Sequence, residues 1–157
     1  MGGHYVAIVS FDATASVSAD FTRDRGALTD AISGLRVGGS TNMGAGIAEA
    51  ERLINSITRE HYAANVFIFS NGLVSHGPQS AAGPFSSAHG SQWQHANAVA
   101  NATDRMIGSG INVWHLGFFH GMSGSRLAAA RELAGASNSR GLYDIADADD
   151  LTWVFAD

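Results

Sequence analysis

Short apolar runs alternate along this chain with longer stretches whose apolar residues recur at helical spacing. Tyr5 to Phe11 (YVAIVSF) is β-branched and apolar, which predicts a buried strand. Ala15 to Phe21 alternates small and polar residues and predicts a weaker, edge-like strand. Asp24 to Leu35 places Leu28, Ile32 and Leu35 on one helical face, with Gly38-Gly39 as the stop. Asn42 to Ile57 repeats that spacing with Ile47, Ala50, Leu53, Ile54 and Ile57. Asn65 to Ser70 (NVFIFS) is almost continuously apolar, as in a parallel strand buried on both faces. A loop rich in Gly, Ser and Ala, holding both prolines, runs from Asn71 to Gly90. Ser91 then reads as the cap of a helix reaching Ile107, closed by Gly108 and Gly110. Ile111 to Phe118 predicts another buried strand. Ser123 to Ala134 predicts a helix with Leu127, Ala130 and Leu133 inward. Gly141 to Asp144 reads as a short strand, and Asp147 to Phe155 as a last helix with an acidic first turn.

Strands alternating with helices of this length predict an α/β fold of three layers. A mostly parallel sheet of Rossmann type is flanked by helices. The 157 residues make one domain with no internal repeat or linker. In such sheets, sites lie beyond the C-terminal ends of the strands. That rule gathers Asp12–Thr14, Asn71–Leu73 and Phe119–Gly121 on one rim, where the loop around Thr41 would have to join them.

Composition narrows the function classes. Hydrophobic residues make up 45% of the chain, which argues against disorder. The formal charge is -5 and there is no lysine, so nucleic acid is not the expected partner. The absence of cysteine removes disulfides, thiolate zinc sites and thiol nucleophiles. No apolar run has transmembrane length and no signal peptide is visible, so no membrane insertion is expected and the compartment is undetermined. Met1 to Gly3 reads as a possible remnant of expression.

Candidate chemistry centres on Gly38-Gly39-Ser40-Thr41-Asn42-Met43-Gly44-Ala45-Gly46-Ile47. A hydroxyl and an amide lie beside a glycine turn and a helix N-terminus, which presents oxygen ligands and free N–H groups together. Taken alone, the glycines are a helix stop and Asn42 a helix cap. The stretch is neither a dinucleotide fingerprint nor a phosphate loop, since the third glycine and the Lys-Ser/Thr pair are missing. Seven histidines raise a zinc hypothesis, but the gaps of 13 and 6 residues between His76, His89 and His95 are not ligand spacings. His115, inside an apolar strand, reads as a hydrogen-bonded semi-core residue. Gly121-Met122-Ser123-Gly124-Ser125 is one residue out of register for a nucleophile elbow, and no nucleophile–base pair can be named.

Five segments together resemble the von Willebrand factor A (vWA) domain family. YVAIVSFDATASVSADF resembles its second and third strands, and GGSTNMGAGIAEAERLI its threonine loop and following helix. NVFIFSNG resembles the fourth strand with its terminal turn, and INVWHLGF the fifth strand. LAAARELAGASNSRGLYDIADADDLTWVF resembles the C-terminal unit. The resemblance implies a metal site with Thr41 and Asn71 as ligands and Asp12 as a weaker candidate. It implies a ligand-binding rim of Ser40, Asn42, Ser70, Gly72 and His120.

Two departures qualify that implication. The family's first strand, ending in Asp-x-Ser-x-Ser, and its helix have no counterpart before Tyr5, so the domain reads as N-terminally incomplete. The family's Asp at the end of the fourth strand is Asn71 here, in Ser70-Asn71-Gly72. Mg²⁺ wants carboxylate help and near-octahedral geometry. The expectation is therefore a remnant site and no cofactor, with Mg²⁺ or Mn²⁺ bound only if a partner segment completes it.

The resulting expectation is a protein-binding, adhesion-type module that is metal-independent as an isolated chain and not an enzyme. The alternative is a structural or assembly subunit completed by a strand from a partner chain or a second copy, with a metal-dependent enzyme as a distant third. The implied loss of a central strand would leave Tyr5–Phe11 and Asn65–Ser70 with bare edges. That favours a homo-oligomer, or a complex completed by another polypeptide, over direct closure of the sheet. The loop from Asn71 to Gly90, about twenty residues, is expected to be mobile and partner-facing, with Phe85 and Trp93 as anchors. For Trp93 the competing reading is simple packing of its helix.

Overall fold

A computed structural model describes residues 4–36, 38–57, 62–136 and 142–145. Strand β1 (Val6–Phe11) and strand β2 (Ala15–Thr22) form an antiparallel hairpin. The turn is closed by Asp12, whose carboxylate accepts the Thr14 N–H at 2.9 Å. Helix α1 (Arg25–Ser33) follows, capped by Asp24, which accepts from the Gly26 and Ala27 N–H groups. Helix α2 (Met43–Asn55) starts from Asn42, whose side-chain oxygen accepts the Ala45 N–H at 3.0 Å. Strand β3 (Asn65–Ser70), helix α3 (Trp93–Gly108), strand β4 (Asn112–Gly117), helix α4 (Gly124–Ala136) and strand β5 (Leu142–Asp144) complete the described order.

β3, β4 and β5 make a parallel sheet in that order, with Asn65 opposite Asn112 and Ser70 opposite Gly117. Beneath it and the hairpin lies one core of Met43, Ile47, Ile54, Ile68, Val99, Met106 and Val113, joined by Phe11 and Phe21 from the hairpin. The alternation of a strand explains the layering. Phe11 and Phe21 turn toward α2, whereas Ser10, Ser16 and Ser18 turn toward α1 across a cleft of about 450 Å³. α1 and α2 thus cover opposite faces of the hairpin.

Several expectations change here. Among the described residues the strands form two sheets, and β1 and β3 neither pair nor run alongside each other at pairing distance. β3 is buried on one face only: Ile68 is in the core, while Phe69 on the other face is 47% exposed and stacks on Phe118. No residue of α1 is buried, and Ile32, expected inward, is 59% exposed. The helical spacing is present, but nothing described lies over that face. α1 also ends earlier than expected, at Gly34, because that residue's N–H already closes the last turn on Asp30. The N-cap position of α3 is Gln92 rather than Ser91, and it makes no side-chain cap bond. Met1 to Gly3 and the last helix expected over 147–155 lie outside the described residues.

Candidate functional site

The rim is assembled by backbone hydrogen bonds between loops distant in sequence. The Asn42 N–H donates to the Asp12 carbonyl at 2.6 Å, and the Asn42 amide nitrogen donates to the Ala13 carbonyl at 3.0 Å. These bonds dock the β1–β2 turn on the start of α2. The Thr41 carbonyl accepts the N–H groups of Ser75 and His76, and the Thr41 N–H donates to Ser75 Oγ at 2.8 Å. The segment after β3 is thereby tied to the same point. The rim expected from the sequence therefore exists, with Asp12, Thr41 and Asn42 adjoining Ser75–Gly77.

Neighbouring rim residues serve the end of β3. Ser70 Oγ accepts the Gly72 N–H at 3.0 Å, and the Asn71 side-chain oxygen accepts the Leu73 N–H at 3.2 Å. The Ser70 carbonyl accepts the Phe118 N–H, which continues the β3–β4 ladder. Gly72 is buried against α4, where a Cβ would stand 2.5 Å from the Ala130 carbonyl oxygen. Ser40 is half-buried, and His120 is exposed beyond β4.

The polar oxygens here are largely engaged. Asp12 is the one carboxylate in the expected set, and the Thr14 N–H holds its carboxyl below the usual carboxylate range. Asn42 is buried, with its oxygen on Ala45 and its nitrogen on Ala13. Among the described residues no group of three His, Cys, Asp or Glu side chains is placed to hold a metal ion.

Sequence reasoning missed Ser75 and Gly77. Gly77 has φ +103 and presses on Asn42, so that a Cβ there would stand 2.0 Å from the Asn42 side-chain oxygen. The only local signal was the Gly77-Pro78 turn dipeptide. Gly77→Ala is expected to cost about 2–3 kcal/mol through the strained φ and the displaced cap. Urea unfolding checks this, and an unchanged midpoint would contradict the packing.

The long loop also differs from expectation. Phe85 is 7% exposed and belongs to the core, so it is not a partner-facing anchor. Its burial follows from Asn97 of α3, which accepts the Phe85 N–H at 2.8 Å and donates to the Phe85 and Ser80 carbonyls. Trp93 is half-buried and packs its helix on the same core. His95 bonds to Pro78 and Gln79 within the loop rather than joining the other histidines.

Residues 1–73 match the family model described as von Willebrand factor type A domain. The three N-terminal domains of the type V pili tip protein Mfa5 from Porphyromonas gingivalis superpose at a TM-score of 0.79. Identity is 14%, with 98% of this chain and 40% of that one covered. The fold is that of a vWA domain. The pilus adhesin SpaC from Lactobacillus rhamnosus GG, in its open conformation, gives a TM-score of 0.70 at 12% identity. It covers 96% of this chain and 24% of that one. The SpRpn10 VWA domain gives 0.58 at 18% identity, over 90% and 64%. This vWA domain thus spans about 40% of the length of the Mfa5 structure. No curated protein sequence matches the chain significantly.

Proposed function

We propose that this vWA domain is a protein-binding, adhesion-type module that acts without a metal ion of its own and is not an enzyme. The observation that carries the reading is the use of the rim oxygens. Asp12, Asn42 and Asn71 each spend a side-chain oxygen on a nearby backbone N–H, which leaves a poor donor set for a hard divalent ion. One carboxylate and neutral oxygens committed elsewhere do not fit Mg²⁺. The adhesin neighbours support the binding class, since SpaC is a pilus adhesin and Mfa5 a pilus tip protein. The split between the two sheets favours a second role, as an assembly subunit completed by a strand from elsewhere.

Calorimetric titration with MgCl₂ and with MnCl₂ tests metal independence. No saturable heat is expected below millimolar ion, and Thr41→Ala should leave the trace unchanged. A micromolar isotherm abolished by Thr41→Ala would overturn the reading.

A further inference from the structure

The division of the strands into two sheets leaves a place whose shape and chemistry are set by its walls. β1 pairs only with β2 and β3 only with β4 among the described strands, so each has one edge without a neighbouring strand. The two strands border one core, because Phe11 of β1 and Ile68 of β3 belong to the same cluster. They end on the same rim: Asp12, after β1, bonds Asn42, and Ser75, after β3, bonds Thr41. Edge strands of soluble proteins are usually blunted by charge, proline or a cover. β1 (VAIVSF) and β3 (NVFIFS) carry no charge and no proline. On the side away from the core, Ile32, Leu35 and Phe69 are exposed, and the cleft beside Ser10 and Phe11 opens between α1 and β1.

We infer that an extended, uncharged, apolar segment of another polypeptide docks between β1 and β3 and joins the two sheets into one. The inference rests on the protein-binding reading above and names the chemistry of its ligand. Each wall dictates one property of the occupant. The strand edges require an extended backbone that offers N–H and C=O groups to both sides. Alternate side chains would enter the core beside Phe11 and Ile68, and the others would meet Ile32, Leu35 and Phe69, so both faces of the occupant are apolar. A second copy of the chain is disfavoured as donor. Its apolar strands β1, β3 and β4 are already built into its own sheets.

The test uses the purified chain in chelator, so that metal plays no part. The probe is a short end-blocked peptide of valine and isoleucine with a lysine at each end, and the control carries a central proline. The chain alone is expected to sediment as a monomer with fast amide exchange in β1 and β3. The probe should slow exchange in both strands by about tenfold or more, and the proline peptide should not. Protection of neither strand, or of one alone, overturns the inference. So does a dimer of the free chain with both strands protected, or a monomer whose β1 and β3 amides are slow without peptide. A failed peptide experiment beside a silent metal titration removes the strand slot and leaves metal-independent binding standing.

Discussion

Replacing Asn97 with alanine should destabilise the domain by about 2–4 kcal/mol and release the loop that it holds. Asn97 is fully buried in α3, and its amide satisfies the Phe85 N–H, the Phe85 carbonyl and the Ser80 carbonyl. Truncation strands those groups, and each buried backbone group left unpaired costs about 1–3 kcal/mol, with partial relief by water. Phe85 depends on the same bonds for its place in the core. Gly83 packs so closely on Asn97 that a Cβ there would meet the amide oxygen at 2.5 Å, so no larger side chain fits at position 97 without moving the loop. Urea unfolding should show the loss. Hydrogen exchange should show faster opening around Phe85 than in β3 and β4. An Asn97→Ala variant with wild-type stability would mean that the loop is held by other contacts.

Acid should weaken this domain through His115. Its side chain is fully buried in β4, and neither ring nitrogen has a hydrogen-bond partner. The sequence reading of a hydrogen-bonded semi-core histidine is corrected on both points. β4 is covered on both faces, and the imidazole meets only surroundings that offer it no polar partner. Burial lowers its pKa from 6.5 to about 4. Above pH 6.5 the ring is neutral in both folded and unfolded chains, and its contribution is constant. Between 6.5 and about 4 only the unfolded chain takes up the proton, so stability falls as pH falls. The loss accumulates to about 3 kcal/mol by the lower limit. His115→Leu should flatten this part of the profile and raise stability at neutral pH by about 1–2 kcal/mol, because two unsatisfied polar atoms are removed. Denaturation midpoints measured at several pH values check both. A His115→Leu profile as steep as wild type would assign the acid response to other groups.

The other expected changes lie at positions whose environment depends on distant chain segments. α1 illustrates this well. Leu28, Ile32 and Leu35 do recur at helical spacing, and a helix forms where that spacing says, yet Ile32 and Leu35 remain exposed. Periodicity reports which face is apolar; it cannot report whether anything covers that face. β3 behaves similarly, with Ile68 in the core and Phe69 facing outward from an equally apolar run.

The sequence by itself determined the order and type of the described elements, the α/β layering and the rim. Local signals suffice for these. β-branched runs favour strands, spaced apolar residues favour helices, and Asp24 and Asn42 start helices because their side chains reach N–H groups two or three residues away. Tertiary structure alone decided the engagement of Asn97 with a loop 12 to 17 residues away, and the grip of Ser75 on Thr41 across 34 residues. It also decided the isolation of His115 and the separation of β1 from β3. Each of these depends on which backbone groups meet after the chain has folded, and hydrophobic patterning carries no record of a partner's position.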